Sequence, residues 1–116
     1  MINQIFMSPF EEKMNEWYTD HLTRIPFIQK IFFVDHLKTM LHAGLSLVEA
    51  LVILEKEIEN AKLKKIIKQI KEEVEQGKSL SEVLAKHEKA FPSIYVKMIE
   101  SGEISGKLEE ALDQVV

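Results

Sequence analysis

No cysteine occurs among the 116 residues, so disulfides and thiolate metal sites are excluded, and the chain fits a reducing compartment. Long apolar runs are missing too. The best candidate for a membrane span, Leu45 to Leu54, falls well short of the ~20 apolar residues a helix needs to cross a bilayer and carries Glu49. The segment Met1 to Phe10 lacks a basic start, and acidic residues follow it where a leader would have a small-residue cleavage site. The chain is therefore expected to stay on the side of the membrane where it is made. Nor is there an excess of positive charge: the formal net charge is −4, and without a concentrated basic surface there is no case for nucleic acid. Low-complexity tracts, Gly/Ser linkers and internal repeats are absent from the sequence as well.

What remains is a composition of 46% hydrophobic and 29% charged residues, ordinary for a folded domain. One unit of this length can bury roughly two thirds of its unfolded surface. The apolar residues recur at helical spacing. Ser8-Pro9-Phe10-Glu11 reads as a capping box with proline in the first turn, opening a helix from about Pro9 to Thr23 that Pro26 stops. Its stripe of Phe10, Met14, Trp17, Tyr18 and Leu22 must pack on something: the core of this domain, a partner, or a membrane surface. Its acidic polar face speaks against anionic lipid.

The following helices are separated by turn signals of one kind. A helix from Phe27 or Ile28 to Ala43 offers Ile31, Phe33, Val34, Leu37, Met40 and Leu41 to a core and ends at Gly44. Ser46 with Glu49 caps the next, which presents Leu47, Ala50, Leu51, Leu54 and Ile58. Asn60 opens the clearest amphipathic stretch, Ala61 to Gln76, with Leu63, Ile66, Ile67, Ile70 and Val74 inside. Gly77 closes it, and Ser79 with Glu82 opens a short helix carrying Leu80, Val83 and Leu84. Phe91-Pro92 fixes a turn, with Pro92 in the first turn of a helix to about Ser101 that buries Ile94, Tyr95, Met98 and Ile99. Gly102 to Gly106 is the expected joint to a last helix with Leu108, Ala111, Leu112 and Val115. That helix is unfinished where the sequence stops, so a longer parent protein is expected.

Taken together, the hydrophobic helix, the Ala43-Gly44-Leu45-Ser46-Leu47 turn, the amphipathic helix, the Gly77-Lys78-Ser79-Leu80 turn, the Phe91-Pro92 step and the Gly102-Glu103-Ile104-Ser105-Gly106-Lys107-Leu108 joint carry a resemblance. In order and spacing, residues from about Ile31 to Val116 resemble the soluble domain of the F-type inner-membrane platform family of type II secretion and type IV pilus assembly. The resemblance implies an all-α fold, an antiparallel six-helix bundle of helical hairpins over residues 27–116, with residues 1–26 as an additional N-terminal helical arm. It implies a domain on the cytoplasmic side of the bacterial inner membrane, cut before a membrane span, that contacts a hexameric assembly ATPase and couples it to assembly of pilin or pseudopilin subunits. Other inner-membrane assembly proteins would be partners, and an exposed apolar stripe on the first or last helix would serve self-association. The reading from another class is a stand-alone helical adaptor that recruits a protein through its aromatic N-terminal helix.

No catalytic set, cofactor site or metal site is expected. His21, His36, His42 and His87 show no metal-ligand spacing. Glu100 and Glu103 are too few for the six to eight oxygens calcium takes. The Gly102 to Gly106 stretch lacks the two glycines and the Lys-Ser/Thr pair at P-loop spacing. Ser46, Ser79 and Ser105 read as helix caps, not nucleophiles. Gly44, Gly77, Gly102 and Gly106 read as helix stops or points of close helix approach. The candidate partner-binding residues are charged: Glu100, Glu103, Glu109, Glu110 and Asp113 around the joint, where the ordinary alternative is a solvated face with acids favoured by the helix dipole. A basic stretch with Lys64 and Lys68 precedes Glu72, Glu73 and Glu75 on one helix. That order opposes the dipole, which leaves a partner or anionic lipid to account for it.

Overall fold

The computed structural model describes residues 9–11, 13–14 and 25–116. Residues 9–11 and 13–14 are helical, while most of the expected Pro9 to Thr23 helix, Ser8 included, lies outside the described residues. From Phe27 onward the chain forms six helices: α1 (Phe27–His42), α2 (Leu47–Glu57), α3 (Ala61–Glu75), α4 (Leu80–Leu84), α5 (Ser93–Ser105) and α6 (Leu108–Val115). No strand occurs among the described residues, and the fold is all-α.

Each helix packs on its neighbour in sequence, and α6 returns to pack on α1, so the six elements form a closed circuit. At its centre lie Phe33 and Leu37 of α1, Leu51 and Leu54 of α2, Leu63, Ile67 and Ile70 of α3, Leu80 and Leu84 of α4, and Leu112 of α6, all at most 2% exposed. These positions follow three- and four-residue spacing, which aims one stripe of each helix inward. Phe33 and Phe91 meet at 5.9 Å between ring centres, tilted by 58°, within the range of favourable aromatic pairs.

The local punctuation works by satisfying orphan backbone groups. At Ser46 both arms of the capping box are made: Glu49 N–H donates to Ser46 Oγ at 3.1 Å, and Ser46 N–H donates to Glu49 Oε1 at 3.3 Å. Asn60 Oδ1 accepts from Leu63 N–H at 2.9 Å, and Ser79 Oγ accepts from Glu82 N–H at 3.2 Å. Gly44 and Gly77 both take φ of +97°. This lets Leu45 N–H reach Met40 O at 3.1 Å and Lys78 N–H reach Glu73 O at 3.2 Å, the long bond of a Schellman turn.

Four expectations are corrected. α5 does not end at Ser101 but continues through Gly102 to Ser105, so the turn is confined to Gly106, with φ +74°, and Lys107. Ser105 is not a cap for α6: its hydroxyl donates back to Gly102 O at 3.4 Å inside α5, and Lys107 occupies the N-cap position without a side-chain bond. Pro92 stands at the N-cap of α5 instead of its first helical position, and its carbonyl accepts from Tyr95 and Val96 N–H. Finally, α5 turns Val96 and Ile99 to the core while Ile94 and Tyr95 face outward. The helix phase is set by Gly102, which must meet α6, and counting back three and six residues from it gives Ile99 and Val96.

Candidate interaction surface

The α5–α6 hairpin gathers most of the acidic residues singled out above, and the structure divides them by what they touch. Gly102 is buried against α6. A Cβ added there would stand 2.5 Å from Ala111 Cβ and 3.0 Å from Lys107 O. Only a residue without a side chain permits this approach. The next residue, Glu103, uses its carboxylate across the fold. Oε2 accepts from Leu80 N–H at 3.0 Å and Oε1 from Ser81 N–H at 3.2 Å. With Ser79 Oγ on Glu82 N–H, the three first-turn donors of α4 are all satisfied, two of them by a residue of α5. A five-residue helix has little stability of its own; here it is held by a carboxylate from a neighbour.

Glu109 and Asp113 face α1. Glu109 Oε2 lies 3.2 Å from His42 Nδ1, and Asp113 Oδ1 accepts from Lys38 Nζ at 2.9 Å, with Asp35 also within 3.2 Å of that ammonium. The bond to Asp113, with that to Asp35 second, raises the Lys38 pKa above its ordinary value. These contacts tie α6 to α1 where the circuit closes. Glu100 and Glu110 remain exposed on α5 and α6. A shallow cleft of about 460 Å³ runs along the hairpin, bordered by Leu41, Glu103, Lys107, Glu109 and Glu110.

On the opposite pair of helices, Lys64 and Lys68 are exposed on α3. The late acids of that helix have work inside the fold. Glu73 Oε1 accepts from Lys78 Nζ at 2.8 Å and also from Lys86 Nζ. Those two hydrogen bonds, Lys78 first, hold its carboxyl down to a pKa of about 2. Reciprocally, the bond to Glu73 raises the Lys78 pKa. Lys71 donates to Glu55 of α2 at 2.7 Å, and that bond raises the Lys71 pKa. Glu73 Oε2 and His87 Nε2 are buried without a hydrogen-bond partner among the described residues. Burial lowers the His87 pKa, against a smaller raising effect of Glu73. Lys78, Lys86 and Lys38 were not singled out by sequence reasoning, and Glu73 was noted only as one of the late acids of α3. The misplaced acids at the end of α3 were the one available signal, since a carboxylate at a helix C-terminus needs a cation to hold it.

No group of three or more metal-ligating side chains occurs among the described residues, and no helix among them is long and apolar enough to cross a membrane. The fold and this surface are those of a small helical scaffold whose charged groups join helices and border an accessible acidic face. The chain belongs to the family of type II secretion system protein F, whose pattern it matches over residues 33–116. It is 42% identical over 99 residues to the type IV pilus assembly protein PilC of Thermus thermophilus, covering 79% of this chain and 24% of that protein. It is 36% identical over 85 residues to PilC of Myxococcus xanthus, covering 73% and 20%. To the type II secretion system protein F of Aeromonas hydrophila it is 32% identical over 79 residues, covering 68% and 20%. The chain thus spans about a quarter or less of the length of the relatives it matches.

Proposed function

We propose that residues 27–116 are the cytoplasmic domain of an inner-membrane assembly platform, with residues 1–26 a separate arm. The domain couples a hexameric assembly ATPase to assembly of pilin or pseudopilin subunits alongside other inner-membrane assembly proteins. The observation that carries this reading is the family match over residues 33–116, with relatives named for pilus assembly and type II secretion. It supports a platform over a stand-alone adaptor. On this reading the domain works by binding and by transmitting motion, not by bond chemistry, and the closed circuit of helices is an antiparallel six-helix bundle.

The physical basis for transmission is the stiffness of one corner. Gly102 against Ala111 leaves no slack between α5 and α6, and Lys38–Asp113 with His42–Glu109 fastens α6 to α1. A push on α5–α6 then displaces α1 as well. Glu100 and Glu110 offer the accessible carboxylates of that corner to a basic surface on the motor. Rim charges of this kind steer association and weaken with salt. The exposed Lys64 and Lys68 of α3 form a second charged face, suited to anionic headgroups.

The test is a titration of the chain against the assembly ATPase, with and without nucleotide, comparing wild type with a Glu100→Lys, Glu110→Lys double variant. Saturable binding that weakens in the variant, and weakens further with salt, is the expected result. Equal binding by both would remove the acidic corner from the contact, and absence of binding in every nucleotide state would overturn motor coupling through this domain. Glu103 is left intact because reversing it would uncap α4.

A further inference from the structure

Among the described residues, the buried side-chain polar atoms without a hydrogen-bond partner are Glu73 Oε2 on α3 and His87 Nε2 on the connection between α4 and α5. Buried polar atoms are nearly always partnered, so such a pair calls for an explanation. The Glu73 carboxylate is used on one side only. Its Oε1 accepts from Lys78 Nζ at 2.8 Å and from Lys86 Nζ, while its side chain is 12% exposed. Lys86 immediately precedes His87, so the carboxylate is already fastened to the segment that carries the imidazole. The backbone of His87 is held on both sides. Its N–H donates to Leu84 O at 2.9 Å, and its carbonyl accepts from Ala90 N–H at 3.0 Å and Phe91 N–H at 2.8 Å. Only rotation about the side-chain bonds is left to the ring.

We propose that His87 and Glu73 form an acid-operated latch: a proton taken up by the imidazole makes Nε2 a donor, and Glu73 Oε2 accepts it, fastening the α4–α5 connection to α3. A neutral imidazole carries one N–H and a protonated one carries two, so the charged ring offers a donor at Nε2 whichever tautomer it came from. The groups facing His87 set where the latch closes. Burial opposes the proton most strongly, the Glu73 carboxylate favours it, and the Lys86 ammonium opposes it. Lys78 reaches the same carboxylate from the α3–α4 turn. Closure therefore lies below the ordinary histidine value of 6.5. Glu73, whose carboxyl is held at about 2, is still charged there. The charged ring is costly to bury, and the bond to Glu73 offsets part of that cost. In the closed state, carboxylates from neighbouring helices grip α4 on both sides, Glu103 at its first turn and Glu73 beyond its last. This assignment does not depend on the motor contact proposed above.

The test is a pH titration of the full chain followed by NMR of the imidazole nitrogens and the side-chain carboxyl carbons. In acid, His87 Nε2 is expected to carry a proton that exchanges slowly with water, and the Glu73 carboxyl carbon to shift with the same midpoint as the His87 ring. Lys86→Gln removes the opposing ammonium and should raise that midpoint. Glu73→Gln should lower it and abolish the slowly exchanging Nε2 proton. Should Glu73→Gln unfold the chain, the rise in Lys86→Gln and the shared midpoint in the unaltered chain decide the matter. An imidazole that titrates without any response of the Glu73 carboxyl carbon, or a midpoint indifferent to both substitutions, would overturn the latch and leave His87 a merely buried ring. Rapid exchange of the Nε2 proton in acid would overturn it as well, since the ring would then have turned to solvent.

Discussion

The α2–α3 and α5–α6 hairpins are both turns between consecutive helices, yet they are built on opposite principles. In α2–α3, the cap is local: Asn60 satisfies the start of α3 from within the turn, and Leu51, Leu54, Leu63 and Ile67 bury fully between the helices. Bulk fills the interface. In α5–α6, the interface is made close by removing bulk at Gly102, and its polar groups reach to distant elements, Glu103 to α4 and Asp113 to α1. The first hairpin is stabilised by area taken from water. The second is positioned by geometry, and it joins two other helices, α1 and α4, into one body.

The contrast can be broken at either end. Leu63→Ala in the filled interface is expected to cost about 2–5 kcal/mol, the range for deleting a fully buried leucine side chain, seen as a lower midpoint in urea unfolding with native-like activity in binding at low denaturant. Gly102→Ala should cost about 1–3 kcal/mol by overpacking, because the added carbon would lie 2.5 Å from Ala111 Cβ and 3.0 Å from backbone. Restoring space with Ala111→Gly should recover part of that loss, whereas the same second change beside Leu63→Ala should only add destabilisation. A Gly102→Ala chain as stable as the original would show that α5 and α6 are not in forced contact.

Glu103→Ala comes next, at about 1–3 kcal/mol for donors of α4 left without an ionised acceptor. Its signature is early exchange of the Leu80 and Ser81 amides while those of α2 stay protected. Slow exchange at both positions would remove Glu103 as the cap. The smallest effect is one of pH. The Glu73 carboxyl is held near 2, below its ordinary 4.5, by Lys78 and Lys86. Its contribution is therefore present above pH 4.5 and is lost as pH falls from 4.5 toward 2. Glu73→Gln should flatten stability in that window. His87, with a lowered pKa, binds its proton more readily when unfolded and so takes stability away as pH drops below its ordinary 6.5. An unchanged acid limb in the Glu73 variant would show that other carboxylates govern it.

The caps and stops were legible because their chemistry is complete within a few residues. Ser46 with Glu49, Asn60 with Leu63, Ser79 with Glu82, and the glycines at 44 and 77 each act inside one turn. The inward stripe of α3 was legible for a similar reason, since a long amphipathic helix states its phase several times over. Where a helix end depended on something far along the chain, reading failed. Gly102 looks like a helix stop in sequence, as Gly44 and Gly77 do, but its neighbour Ala111 across the hairpin makes it a point of close contact within a continuous helix. The same misreading of phase turned Ile94 and Tyr95 inward. For the acidic residues of the joint, sequence found the cluster but could not sort it, because Glu100 and Glu103 differ only in which helices stand opposite them.

The sequence by itself determined that this chain is helical, where four of its turns fall and which family it belongs to, because periodicity and capping are local and repeat at fixed spacing. Tertiary structure alone decided that α6 closes on α1, that Glu103 belongs to α4 and Glu73 to Lys78 and Lys86, and that an apolar groove opens beside Phe27. Each of these joins residues separated along the chain, and the energy of such a contact depends on a distance that packing, not spacing, fixes.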